Sequence, residues 1–250
     1  MTLQKIPRPL IIGHRGYPLL YPENTLVSFE AAMKAGVEMI ELDVTLTRDR
    51  VPVIIHDPGL ERTTNGRGTV RSKTLEELKQ LDAGSWFHTK FAGVNIPTLE
   101  EVLDLVGGRI KLNLEILRYA YEEPHPRDSI EVQVVEMVRR KGLTDSILIS
   151  SFEENILHHL SQIEDTPAIA FLTKDEPIEK VVQLCKEWSA FSWHPKLGHF
   201  GRKEVEQMHS HNIKVFPYTI NGESEIENAL RSGVDGYFTD DPTYRPKASL

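Results

Sequence analysis

Four short polar clusters each lie at the end of, or within, an apolar strand-like run. Gly13-His14-Arg15-Gly16 directly follows Leu10-Ile11-Ile12. A guanidinium can hold two phosphate oxygens at once, and an imidazole can move a proton near neutral pH. Arg15 and His14 at a strand end therefore suit a phosphate substrate, although a turn glycine with two incidental polar neighbours would leave the same letters. The second cluster is Glu41-Leu42-Asp43, flanked by Met39, Ile40 and Val44. Residues i and i+2 of a strand share a face, so both carboxylates project together. Two acids that close repel unless one is protonated or a cation lies between them, and oxygen ligands favour Mg2+ or Ca2+ over zinc.

His56-Asp57 closes Val53-Ile54-Ile55 as a second strand-end histidine. One such histidine is more often structural than catalytic, but His14 and His56 together can divide the work of a base and an acid, which phosphodiester cleavage needs. Glu115 shares a strand face with Lys111 and Asn113, opposite Leu112, Leu114 and Ile116. It either completes the shell of a metal or pairs with Lys111. The remaining polar residues take blander readings. His158, His159, His209 and His211 lie on or near helices without a carboxylate at metal-ligand spacing, which predicts solvated faces. Asn221 is expected to cap a helix at Glu223–Arg231, and Asp240-Asp241-Pro242 to cap the turn after the last strand, with contact to substrate as the lesser alternative. Trp86, Phe87 and Phe91 would form an apolar wall, either a small core or a lid.

The elements that position these groups alternate along the whole chain. Strand-like runs fall at 10–13, 39–46, 53–56, 110–116, 147–150, 168–172, 190–193, 214–220 and 236–239. Several are almost continuously apolar, as parallel strands covered on both faces should be. The runs at 39–46 and 53–56 read as successive strands or one interrupted element, so the count is eight with one ambiguity. Thr98-Leu99-Glu100-Glu101 carries the signature of a capping box, followed by an apolar face at Leu99, Val102, Leu103 and Val106. Thr74-Leu75-Glu76-Glu77 and Ser151-Phe152-Glu153-Glu154 repeat it. Asn24 or Thr25 is expected to cap a helix that Gly36 ends. Strand and helix in strict alternation predict an α/β fold with a parallel sheet, and roughly eight units in 250 residues favour a TIM (β/α)8 barrel over an open sheet. Residues 57–97 exceed an ordinary connection and read as a small insertion after the second strand, over the active face of a single 1–250 domain.

Composition sets outer bounds. With 40% hydrophobic and 26% charged residues the chain is ordinary for a globular domain. A net charge of −8 argues against nucleic acid, yet one metal ion and one arginine can still neutralise a phosphodiester locally. Cys185 is the single cysteine, which excludes an internal disulfide and a cysteine-rich metal site. No run has the roughly 20 apolar residues of a membrane span, and the first residues lack a secretory core, so a cytoplasmic protein is expected. Self-association into a homo-oligomer is compatible with all of this.

Taken in order, these motifs resemble the glycerophosphodiester phosphodiesterase family. The likeness rests on His14-Arg15-Gly16, Pro22-Glu23-Asn24-Thr25, Glu41-Leu42-Asp43-Val44 and His56-Asp57. It continues through Arg62-Thr63-Thr64-Asn65-Gly66-Arg67-Gly68, Leu81-Asp82-Ala83-Gly84-Ser85-Trp86, Ile96-Pro97-Thr98-Leu99 and Leu112-Asn113-Leu114-Glu115. It closes with Tyr218-Thr219-Ile220-Asn221 and the segment from Gly233 to Pro242. The resemblance implies a TIM barrel with an insertion after the second strand. It also implies metal-dependent hydrolysis of glycerophosphodiesters, such as glycerophosphocholine or glycerophosphoethanolamine, to sn-glycerol 3-phosphate and an alcohol. On matching positions it makes Glu41, Asp43 and Glu115 ligands of one divalent cation (Mg2+ or Ca2+), His14 and His56 the acid–base pair, and Arg15 a phosphate contact. Two positions depart from the family pattern. Leu117 replaces a lysine that touches phosphate, with Arg118 beside it on the opposite face, and Tyr218 replaces a tryptophan. Rival readings are a lysophospholipase D acting on acylated substrates and a non-catalytic binder of phosphate ligands.

Overall fold

In the computed structural model, Leu3 and residues 9–244 are described. The chain runs β1 (Leu10–Gly13), α1 (Leu26–Lys34), β2 (Met39–Leu46), β3 (Pro52–Ile54), α2 (Leu75–Lys79), α3 (Leu99–Val106), β4 (Lys111–Ile116) and α4 (Ile130–Arg140). It continues through β5 (Ile147–Ser151), α5 (Glu154–Gln162), β6 (Ala168–Thr173), α6 (Ile178–Glu187), β7 (Ser192–Pro195), α7 (Arg202–His209), β8 (Lys214–Val215), α8 (Glu223–Arg231) and β9 (Gly236–Thr239). Eight strands are parallel neighbours in the order β8-β7-β6-β5-β4-β2-β1-β9. The seam between the two ends is drawn together by backbone bonds from the Asp235 amide to the Val215 carbonyl and from the Phe238 amide to the Pro217 carbonyl, both 3.0 Å. The result is a nearly closed (β/α)8 barrel, as the alternation predicts.

The ambiguity over the run at 53–56 resolves in its geometry. β3 pairs antiparallel with the end of β2, Val44 opposite Ile54 and Leu46 opposite Pro52, so it is an arm folded back on a barrel strand. Residues 57–97 follow this arm. Leu60, Val70, Leu78, Ala83 and Ile96 pack on Val53 and Ile55 as a small apolar cluster apart from the main core. Trp86, Phe87 and Phe91 stand outside that cluster. Their rings, spaced 5.7 and 5.8 Å, lead to Tyr21 in the β1–α1 loop, 5.6 Å from Phe91.

Strand alternation sorts the barrel into two surfaces. Leu10, Ile12, Met39, Leu148, Ala170, Phe216 and Phe238 fill the interior. Ile11, Ile40, Leu42, Val44, Leu112, Leu114 and Ile116 face outward, in one core with the helices. α3 follows the sequence reading closely: Leu99, Val102, Leu103 and Val106 are buried, and Thr98 and Glu101 form the reciprocal cap. Thr74 and Glu77 do the same for α2. The third expected box does not form. The Ser151 hydroxyl donates to the Ile116 carbonyl at 2.7 Å instead, and α5 starts after Glu153 without a side-chain cap. β7 ends at Pro195, later than expected; a proline is tolerated at a strand end because little depends on its missing N–H there. β8 is short, and pairing with β7 carries on past it, with the Phe216 amide on the Trp193 carbonyl and the Tyr218 amide on the Pro195 carbonyl, both 3.0 Å.

Candidate active site

The carboxyl end of the barrel gathers every candidate site residue. β1 ends in a sharp reversal, with φ of 53° at Arg15 and 95° at Gly16. A side chain at Gly16 would meet the Ser28 hydroxyl at 2.4 Å, so glycine is required where the loop lies on α1. Thr25 caps that helix, accepting from the Ser28 amide. Asn24 is thereby free to brace β2, donating to Asp43 Oδ2 at 2.7 Å. The reversal presents the Arg15 amide to Glu41 Oε2 at 2.8 Å, which ties the end of β1 to the acidic strand.

Parallel pairing of β2 with β4 puts Asp43 beside Glu115 and Glu41 beside Asn113. Carboxylate oxygens of Glu41, Asp43 and Glu115 lie within 4.8 Å of one another. Glu41 and Asp43 are buried, and Glu41 Oε1 has no hydrogen-bond partner. Burial, reinforced by the neighbouring charges of Asp43 and Glu115, pushes the Glu41 carboxyl well above the usual carboxylate range. Burial and Asp43 do the same to Glu115. Such a cluster holds excess negative charge and an unused oxygen lone pair, the conditions a hard divalent cation satisfies. The residues present fit that group.

Both strand-end histidines carry an aspartate on Nδ1. His14 Nδ1 is 2.7 Å from Asp240 Oδ1, and His56 Nδ1 is 2.6 Å from Asp57 Oδ1. An aspartate there favours the tautomer with the proton on Nδ1, leaving Nε2 as the reacting nitrogen. Asp240 is itself held by Asn221, whose amide nitrogen donates to Oδ2 at 2.7 Å and whose oxygen accepts from the Asp240 amide at 2.8 Å. Asn221 thus supports the site; α8 begins after Gly222, so the capping role expected of Asn221 is corrected. The sequence offers Asp240 a turn cap or a contact with substrate but not the His14 ring, because that partner is 226 positions away and no local signal connects them. Hydrogen bonding from Arg62, assisted by His56 against the cost of burial, lowers Asp57 to about 2.

An ion-pair chain joins the two histidines' neighbourhoods. Arg62 binds Asp57 and both oxygens of Glu23, and Glu23 Oε1 accepts from Arg15 at 2.8 Å. Arg15 Nε lies 3.2 Å from Asp43 Oδ2 without a true hydrogen bond. Burial opposes the Arg15 charge, but Asp43, Glu23 and Glu41 outweigh it and hold the guanidinium more firmly charged than usual. His14, Arg15, Pro18, Leu19, Glu23 and Asp240 line an open cleft at this end.

The departures from the family pattern also have places. Leu117 is buried, and Arg118 is exposed at the start of a single 3-10 turn. A different cation approaches: Lys174, just past β6, pulls on the Glu115 charge and has its amine 5.4 Å from the centre of the Phe152 ring. Tyr218 packs edge-on against Phe152 at 5.7 Å, with its hydroxyl donating to the Thr173 carbonyl at 2.9 Å. Tyr119 donates to the His56 carbonyl at 2.8 Å and so fixes that loop from β4. Lys174 and Tyr119 carried no sequence signal. Elsewhere, one histidine read as solvated has a carboxylate partner after all, His209 Nε2 lying 2.7 Å from Asp235, while His159 Nδ1 stands 3.7 Å from Glu131, beyond hydrogen-bond reach. His158 and His211 are exposed, as expected.

A (β/α)8 barrel with clustered carboxylates and paired histidines at its carboxyl end is an enzyme scaffold. Residues 14–244 match the family model of the glycerophosphoryl diester phosphodiesterase family. The chain belongs to that family and is an enzyme of the phosphoric diester hydrolase class. It is 39% identical over 236 residues to a glycerophosphodiester phosphodiesterase of Bacillus altitudinis, covering 93% of this chain and 94% of that one. It is 37% identical to one from Caldanaerobacter subterraneus subsp. tengcongensis, covering 94% and 95%. Among solved structures, an Oleispira antarctica phosphodiesterase in complex with the product sn-glycerol-3-phosphate superposes with a TM-score of 0.86 at 32% identity, covering 94% of each chain. No helix among the described residues is long and apolar enough to cross a membrane.

Proposed function

We propose that this enzyme hydrolyses small glycerophosphodiesters, such as glycerophosphocholine or glycerophosphoethanolamine, to sn-glycerol 3-phosphate and an alcohol, using one divalent cation and two histidines. The observation that carries this reading is the convergence of Glu41, Asp43 and Glu115, together with two strand-end imidazoles that each carry an aspartate on Nδ1. The product complex of the Oleispira relative supports the substrate class. We read residues 1–250 as one domain with 57–97 inserted in it.

Glu41, Asp43 and Glu115 would hold the cation, with Mg2+ or Ca2+ favoured by the all-oxygen set. When bound, it supplies positive charge beside the phosphate and offsets the charge that builds there. The Arg15 guanidinium, which lines the cleft with His14, would meet a phosphate oxygen, and Lys174, whose charge acts on Glu115, is the cation we assign to the role that Leu117 cannot fill. One histidine removes a proton from the attacking hydroxyl or water through Nε2, and the other protonates the departing alcohol. Asp240 and Asp57 keep both rings oriented through the cycle.

One observation favours a second substrate class. Leu19, 54% exposed, lines the cleft with His14 and is followed by Leu20, 51% exposed, an apolar lip suited to an acyl chain. The deciding experiment measures release of the head-group alcohol from glycerophosphocholine and glycerophosphoethanolamine, after EDTA and again with Mg2+ or Ca2+ restored, with choline release from lysophosphatidylcholine run in parallel. EDTA-resistant turnover would overturn the metal assignment, and faster release from the acylated substrate would move the enzyme to the second class. Lys174→Ala should weaken substrate binding by about 10–100-fold, the worth of a charged hydrogen bond; an unchanged KM removes Lys174 from the site.

A further inference from the structure

A second group of metal-ligating side chains lies on the outer layer of the barrel, built by the loop before α4 and by α4 and α5 themselves. His125, Glu131 and His159 present ligand atoms within 4.8 Å of one another. Glu131 is 1% exposed, in the first turn of α4, and its Oε1 has no hydrogen-bond partner. His159 Nδ1 is also buried without a partner, 3.7 Å from that oxygen. This separation is too long for a hydrogen bond. It is close to the spacing of two ligands on a tetrahedral zinc with bonds of about 2.0–2.2 Å. The His125 and His159 rings approach to 3.8 Å between centroids, and Tyr121 stacks on both, at 6.5 and 5.9 Å. Divalent cations take imidazole in its neutral form, and neutral rings pack this closely without repulsion.

We propose that His125, Glu131 and His159 form a second divalent-metal site of zinc type, separate in residues and in chemistry from the carboxylate cluster. Two nitrogens and one oxygen are a borderline-soft donor set that prefers Zn2+, Co2+ or Ni2+ over Mg2+ and Ca2+. Three protein ligands leave the fourth tetrahedral position to water. Glu131 and His159 belong to helices, whereas exposed His125 completes the set from the 121–129 loop. That loop also carries Glu122, which binds Arg50 and Arg71, so the ion pins a segment that runs on from the Tyr119 turn under His56.

The test uses the full chain, stripped with chelator and then given Zn2+ alone. Metal content is read after gel filtration, together with the thermal midpoint. Glu41→Gln/Glu115→Gln removes the carboxylate site and should keep one equivalent of zinc and a zinc-dependent rise in Tm. Adding His125→Ala/His159→Ala to that background should abolish both, with affinity falling by at least the roughly 10–100-fold that loss of a mere supporting partner costs. Zinc content unaffected by the histidine substitutions overturns the proposal. A zinc-edge anomalous map of wild-type crystals decides independently of any variant: a peak among His125, Glu131 and His159 supports the site, and density at the carboxylate cluster alone refutes it. Mg2+-dependent turnover is measured separately, so failure here is distinct from failure of the catalytic reading.

Discussion

His14 and His56 have different exposures, 22% and 38% of their side chains, but the same attachment to an aspartate through Nδ1. Loss of either ring by alanine substitution should slow turnover by roughly a hundredfold or more, the usual worth of a positioned acid or base. Asp240→Asn should retain the ring but orient it poorly, costing about tenfold or more in kcat with KM little changed. Steady-state kinetics on folded variants checks both. His194 poses a different problem. It is fully buried in the barrel, 2.9 Å from the Ser192 hydroxyl and packed against Phe216 and Phe238. Burial lowers it from 6.5 to about 3. Between those values the unfolded chain binds the extra proton and the native state does not, so stability falls as pH drops, by about 2 kcal/mol at pH 5. His194→Gln should remove that part of the acid sensitivity, as urea unfolding near pH 7 and pH 5 would show. Equal pH dependence in both proteins would exclude a buried neutral imidazole.

At the scale of elements, local signals succeeded where both partners lie within one turn. The boxes at Thr74 and Thr98 form because hydroxyl and carboxylate sit three residues apart and no strand claims the hydroxyl; the carboxylates keep them even while Glu101 also accepts from Lys79 and Glu77 pairs with Arg48. The same letters at Ser151 fail because a neighbouring strand claims the hydroxyl. Thr98→Ala should cost about 1 kcal/mol of global stability, seen as a lower urea midpoint with unchanged slope. The strand faces were equally legible: period-two alternation placed Glu41, Asp43 and Glu115 inward before any pairing was known. The run at 53–56 was legible as a strand but not in direction, because an antiparallel arm and a parallel neighbour share one apolar pattern.

For the whole molecule, closure of the barrel is what makes the site. His14 leaves β1 and Asp240 follows β9, strands paired from Leu10–Gly236 to Gly13–Thr239. A side chain at Gly236 would sit 2.3 Å from the Leu10 carbonyl oxygen and 2.6 Å from its Cβ. Gly236→Ala should therefore wedge this seam, costing about 1–3 kcal/mol as overpacking does. Activity should fall as well, although the residue is remote from the chemistry. A variant with native Tm would show that the seam adjusts freely.

The amino-acid sequence by itself determined the alternation of strand and helix, the inward face of each acidic strand and the strand-end positions of both histidines. Those properties arise from periodicity and from contacts within a few residues. Only the tertiary structure decided that Asp240 meets His14 across 226 positions, that Lys174 lies over the Phe152 ring, and that Glu131 meets two histidines outside the barrel. Such contacts depend on register and closure summed over the whole sheet, and no short window of residues contains that sum.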